Sequence, residues 1–513
     1  MSVRPALLVT ILLIASPVLA QTPPAPPGRV GPAASTALVP VTWLEAVPGS
    51  GKTAGPPLLR ELDPNDPRLK DCERWLDNEP ARFTRELIAW AWKSFGTPAS
   101  WPQGRLAILL RPGGNHAEFG FRLQRAGAIE DHADVPYIIL EADPKVLTDT
   151  VLHEGGHLLH MIAVGGRHPS AGWTPVLHST FAVTDPLTAL AEGYAIHFET
   201  LLGHYGRDAE KRAYYHRLAP AFDLKNSRRA EFYAPIADLM TFSQSWARYQ
   251  AVRETWPAFE GHVYPGDYLR SQYDPARDRA VLKPAAAMAA SEGVAASALF
   301  WISATLADRA GATPGQGLDQ PALIAAEQRL LHAISGLPAK NGFRPDIVDL
   351  VSAIGAPGSP ERAVAVSRFV NVTRAVTAKP EVRAKWTALY HDAVGLDIEG
   401  SKPLFTELDV LRDGVTDAAM KDPAALRSGL GPVLPVRAPK VLLELKAFGE
   451  RFPLEFDLNA AGDAEWLAAG VDRVTAAAIG RERDLAPFSS AADFERRTRT
   501  RLSTLGLEEI KEP

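Results

Sequence analysis

Apolar positions recur at helical spacing through much of the chain, and two short runs break that rhythm. The stretch "ARFTRELIAWAWKSFG" (81–96) carries apolar residues three and four apart and ends in Gly, the pattern of an amphipathic helix. Two later runs, "RLAILLR" (105–111) and "VPYIILEA" (135–142), are short, apolar and bounded by Gly, Pro or Asp, which predicts strands. Two long helices with the same punctuation follow. The first has Asp143 as cap, Pro144 at the first helical position and Gly165–Gly166 at its end. The second has Asp185 as cap, Pro186 at the first position and Gly203 near its end. The pattern stays mainly helical to about residue 430, without a repeat of fixed period. The expected fold class is therefore α+β, mostly α-helical, with a small sheet.

Both ends of the chain depart from this texture. Residues 1–20 join a basic start at Arg4, the apolar run "ALLVTILLIA" and small residues at Val18 and Ala20, which predicts a secretory signal peptide cleaved after Ala20. No Cys follows that site, so a lipid anchor there is excluded. Residues 21–58 are rich in Pro, Gly and small side chains and read as a flexible leader. That leader holds "AVPGSGKT" (46–53), a loose phosphate-loop pattern. The "AGPP" after it would stop the helix such a loop needs, so no nucleotide site is assigned.

Composition narrows the class. Hydrophobic residues make up 46% and charged residues 22% of the 513, as in a globular protein large enough for several domains. A net charge of −5 argues against broad attraction to nucleic acid or anionic membrane. Cys72 is the single cysteine, so no internal disulfide can form. Export without disulfides suits a bacterial periplasm or exterior, and no membrane span is expected once the signal is removed. The sequon at Asn371 would matter only in a eukaryotic secretory route.

The chemistry concentrates in "TDTVLHEGGHLLH" (148–160). His153 and His157 are four residues apart, so their rings leave one helix face a turn apart, as two nitrogen ligands of one zinc ion must. Glu154, beside them, can reach a metal-bound water without ligating the metal and can accept its proton. The bland alternative is an apolar helix with three hydrogen-bonded histidines. Gly155–Gly156 is costly inside a helix, about 1 kcal/mol per Gly relative to Ala, and would permit a close approach by a neighbour. His160, a turn further on, reads as a residue behind the ligands or in the core. A third ligand is required, and Glu192 in "TDPLTALAEGYAIHFETLLGHYG" is preferred, with Glu199 on the same helix face free to orient a ligand histidine. A second Glu-Gly pair, in "MAASEGVAASALFW", keeps Glu292 as the alternative.

His153-Glu154-x-x-His157 followed by "AEGYAIHFE" resembles the gluzincin clan of zinc metallopeptidases. The resemblance implies a zincin-like catalytic domain over 59–435 that binds one Zn2+ through His153, His157 and Glu192. Glu154 would serve as general base, and the "PYIIL" strand would lie along a peptide or protein substrate as a sheet edge. The metzincin continuation is absent, and a Gly/Pro-rich insert separates the two halves. The oxyanion-stabilising residue is unassigned, with Tyr214, Tyr215, His216, Tyr264 and Tyr268 as candidates.

The segment 453–513 resembles the helix-hairpin-helix domain of exported DNA-uptake proteins. The features that carry the resemblance are the Asp457–Asn459 start, a hairpin at Gly470 and "PFSSAADF". A small all-α module is expected there. Asp472 stands where the second hairpin glycine of that family would fall, and residues 451–513 hold nine Lys/Arg against twelve Asp/Glu. That balance favours packing or protein interaction over DNA, with Arg496 to Arg501 as the feature that keeps DNA in view. The chain thus reads as an exported, periplasmic or secreted zinc metallopeptidase. The rivals are a catalytically inactive zincin-like envelope binding protein and an exported nucleic-acid binder.

Overall fold

The computed structural model describes residues 38–48, 55–112, 115–141, 144–165, 183–209, 282–337, 345–386, 398–445 and 450–510. The signal segment, residues 21–37 of the leader and the tyrosine candidates lie outside them. The chain mixes helix and sheet. The first elements in order are β1 (Val41–Ala46), β2 (Leu58–Glu61), α1 (Pro67–Trp75), α2 (Glu79–Phe95), β3 (Leu106–Leu110), β4 (His116–Arg125) and β5 (Ala128–Leu140). After these come α3 (Pro144–Ala163), α4 (Pro186–Tyr205), α5 (Ala285–Ala289), α6 (Glu292–Arg309), α7 (Pro321–Ser335), α8 (Ile347–Ala353), α9 (Pro360–Thr373) and α10 (Ile398–Lys421). The last group is β6 (Pro435–Leu445), β7 (Glu450–Asp457), α11 (Asp463–Ala468), α12 (Arg473–Leu485), α13 (Ala491–Thr498) and β8 (Glu508–Glu509).

Strands β1 to β5 close into a barrel in the order β1-β2-β4-β5-β3. Alternate residues face opposite sides of a strand. Leu44, Leu59, Ala107, Leu109, Phe121, Leu123, Tyr137 and Ile139 therefore fill the interior, while Leu106, Ile108, Leu110, Ile138 and Leu140 join the helical core. Burial on both faces explains why β3 and the end of β5 read as unbroken apolar runs.

Two expectations need correction here. The leader does not stay irregular to residue 58, because Val41–Ala46 pairs in parallel with β3 and antiparallel with β2. Its partners are remote in sequence, so local composition could not reveal it. The "PYIIL" strand is not an edge either, since β5 pairs with β3 on one side and β4 on the other. Residues 49–53 of the P-loop-like stretch lie outside the described residues.

Helix α4 runs through the middle of the helical body, buried almost throughout. Asp185 caps it, accepting from the N–H groups of Leu187 and Thr188, and the helix ends at Gly206, just beyond Gly203. Asn371 lies in the last turn of α9, and Thr373 of its sequon is fully buried.

The C-terminal unit has its own core around Trp466, Phe456, Phe488 and Phe494. It begins at β6 rather than at residue 453, and it is not all-α. A sheet in the order β7-β6-β8 backs the helices. Val436 and Ala438 sit opposite Phe456 and Leu454 and turn the apolar side of β6 inward. The ladder shifts register between Ala438 and Leu442, which accommodates Pro439, a residue with no N–H to donate. Ala460 packs with Val183, Ala287 and Ala290 of the helical body, and Arg383 pairs with Asp484 at 2.5 Å. No helix among the described residues is long and apolar enough to cross a membrane.

Candidate metal centre

Helices α3 and α4 meet where a glycine faces an alanine. A Cβ on Gly156 would stand 2.8 Å from the Ala195 Cα, and one on Gly155 would stand 2.5 Å from the Thr84 Cγ2 of α2. Gly193 does the same toward α6, where a Cβ would meet the Ala295 Cβ at 2.5 Å. Each glycine thus admits a different neighbour. The cost of Gly in a helix interior is offset by a helix spacing that a side chain would prevent.

That spacing brings three polar atoms together. His153 Nε2 and His157 Nε2 are 3.2 Å apart. A Glu192 carboxylate oxygen lies 3.4 Å from the first and 3.2 Å from the second. Zinc held tetrahedrally at about 2.0–2.1 Å from its ligands spaces them roughly 3.3–3.4 Å apart. The triangle fits one face of such a site, and these residues form the one potential metal-binding group of three among the described residues. Glu292 begins α6, is buried and stands outside the group.

The surroundings suit the same donor set. His153 Nδ1 is 3.5 Å from a Glu199 carboxylate oxygen, which favours the proton on Nδ1 and leaves Nε2 as a donor of electrons. Burial disfavours the imidazolium of His153, but Glu192 and Glu199 outweigh it and raise its pKa well above the usual histidine value. A proton on His153 satisfies part of the triangle, whereas a cation satisfies all three atoms. Glu154 is buried, and its Oε2 has no hydrogen-bond partner among the described residues. Burial pushes its carboxyl pKa up, and the neighbouring His157, His153 and His116 oppose that only in part.

His160 does not join the triangle. It is buried, with its ring centroid 6.1 Å from that of Tyr194. On the far face of α4, Tyr194 donates to Glu327 Oε2 at 3.4 Å, and His197 Nε2 lies 3.2 Å from Glu327 Oε1. Ser303 of α6 also donates to Glu327. These fully buried contacts tie α4 to α6 and α7, fixing the rotation that points Glu192 and Glu199 toward α3.

One polar group near the site escaped the sequence reading. His116 Nε2 is 2.7 Å from Glu118 Oε1, and Tyr137 donates to Glu118 Oε2 at 2.6 Å. The available signal was "HAEFGFRL", whose alternation fits a strand with His116 and Glu118 on one face.

At the hairpin of the C-terminal unit, Asp472 caps α12, accepting from the N–H groups of Val474 and Thr475 and from the Thr475 hydroxyl. An exposed carboxylate therefore sits where a phosphate would be received. Comparison of the chain with protein-family models, curated proteins and solved structures finds no match.

Proposed function

We propose that the chain is an exported zinc metallopeptidase, similar to gluzincins, that hydrolyses peptide bonds in a peptide or protein substrate. The observation that carries this reading is the triangle of His153 Nε2, His157 Nε2 and the Glu192 carboxylate, with edges of 3.2–3.4 Å, beside the buried Glu154. His153, His157 and Glu192 would hold the ion, and Glu199 would keep the His153 ring turned so that Nε2 faces it. Bound zinc supplies a Lewis acid that acidifies water and polarises the scissile carbonyl. Glu154 takes the proton of the attacking water on its Oε2 and delivers it to the leaving amine nitrogen as the C–N bond breaks.

The experiment is a peptide-library digest with and without chelator, run beside variants. Glu154→Gln should keep one zinc per chain while turnover falls about 10³-fold. His153→Ala should lose the metal. Equal metal loss in the two variants contradicts that division of roles. A wild-type protein that binds zinc yet cleaves nothing in the library favours the binding-protein rival. Tight, salt-sensitive DNA binding would favour the nucleic-acid reading, against which the Asp472 cap weighs.

A further inference from the structure

Small residues bring α4 close to its neighbours: Gly156 of α3 faces Ala195, and Gly193 faces Ala295 of α6. Such contacts set a spacing, but they offer no long side chain to resist rotation of α4 about its own axis. Rotation matters at the metal centre. A helix with its side chains has a radius of about 5–6 Å, so a turn of about 10° carries the Glu192 carboxylate about 1 Å sideways. A preorganised site tolerates roughly half of that, and the edges of the triangle are 3.2–3.4 Å.

What holds the rotation lies on the opposite side of α4. At about 100° per residue, Tyr194 stands about 200° and His197 about 140° round the helix from Glu192. The two straddle the back of the helix, while Glu199 returns to within about 20° of Glu192. Both back residues meet one carboxylate. Tyr194 donates to Glu327 Oε2 at 3.4 Å, and His197 Nε2 lies 3.3 Å from that oxygen and 3.2 Å from Oε1. Ser303 of α6 donates to Oε1. All four residues are fully buried, and among the described residues Glu327 has no arginine or lysine partner. A carboxylate in that setting depends on its donors, and they are held in turn where it is. Directional bonds from two positions on one helix resist rotation as small-residue packing does not.

From these contacts opposite Glu192, we propose that Glu327 is a positioning residue for the metal centre. It fixes the rotation of α4 and thereby the size of cation that His153, His157 and Glu192 accept. The triangle matches zinc, and with α4 free to turn it would widen and take a larger divalent ion more readily. This role rests on the metal-binding part of the peptidase reading and not on hydrolysis.

The metal-free full chain is titrated separately with zinc and with cadmium, which is larger and shares zinc's filled d shell. Glu327→Leu should weaken zinc about 10–100-fold and cadmium by less than about threefold, so the preference for zinc collapses. Glu327→Gln keeps the volume but gives up one accepting oxygen, and its preference should fall about threefold or more. It reads the role if Glu327→Leu does not fold. Tyr205→Phe is the control, losing a 2.6 Å hydrogen bond to Asp308 of α6. That bond lies about 20 Å along α4 from Glu192. The control should lower the unfolding midpoint and leave the preference within about twofold of wild type. A wild-type preference in a folded Glu327 variant, or an equal shift in Tyr205→Phe, overturns the role of Glu327. Wild type that binds zinc and cleaves no peptide counts against the peptidase reading, yet the two cations still decide Glu327. A wild type that binds neither cation overturns both.

Discussion

Two helix pairs carry similar local signals and put them to different uses. In α3 and α4, an aspartate starts the second helix and glycines interrupt the interior. In α11 and α12, Asp472 starts the second helix and Gly470 makes the turn between them. Asp185 is fully buried, and Gly156 faces the α4 backbone at a distance no Cβ would tolerate. Gly470 has φ 88° and nothing within 4 Å of its missing Cβ, so it serves the turn alone. The first pair converges three polar side chains on one point, while the second closes its own helix terminus with a carboxylate. A capped helix and a glycine acquire chemistry only when another element approaches closely enough to use them.

The sharpest way to break this comparison is to give each glycine a methyl group. Gly156→Ala should push α4 away, cost about 1–3 kcal/mol of stability and weaken zinc binding more than ~10-fold. Gly470→Ala should cost only about 1–2 kcal/mol for its left-handed backbone and leave zinc affinity unchanged. Equilibrium unfolding and zinc titration read both, and the comparison fails if Gly156→Ala binds zinc as wild type does.

Titration separates the regions further. Burial raises the Asp457 carboxyl from 3.8 to about 6, although it accepts from the N–H groups of Leu434 and Asn459. The folded state therefore holds this proton more tightly than the unfolded chain does. The resulting stability is fully present below pH 3.8 and is lost as pH rises through about 6. Asp457→Asn keeps the accepting oxygen and removes the charge. Relative to wild type it should gain roughly 2 kcal/mol between those limits. Parallel stability curves for the two proteins from pH 4 to pH 7 would rule this out.

Glu199→Gln probes the centre more gently, since Glu199 faces His153 Nδ1 at 3.5 Å without joining the triangle. Zinc affinity should drop about 10–100-fold, less than the loss on removing His153. An affinity equal to wild type would show that Glu199 does not orient the ligand. The smallest effect is expected at Asp472→Ala, where loss of the cap should cost about 1 kcal/mol. It should create no salt-dependent DNA binding. Binding that appears once the carboxylate is gone would mean the hairpin is a masked phosphate site.

What the sequence determined by itself is local. Caps at Asp185 and Asp472, the apolar run of β3 and the four-residue spacing of His153 and His157 are interactions within one or two turns, legible in a short window. The sequence also preferred Glu192 over Glu292, through the shared face with Glu199, and Glu192 is the one that stands with His153 and His157 in the structure. Tertiary structure decided the rest, because the relevant partners are distant in the chain. Val41–Ala46 becomes a strand only beside β2 and β3, and Pro435–Leu445 only beside β7 and β8. The "PYIIL" strand loses its edge to β4, and His116 gains a place near Glu154 from the packing of β4 on α3. Convergence of His153, His157 and Glu192 likewise depends on the approach of α4 at Gly156. The sequence permits that contact by omitting a side chain, and only the folded helices make it.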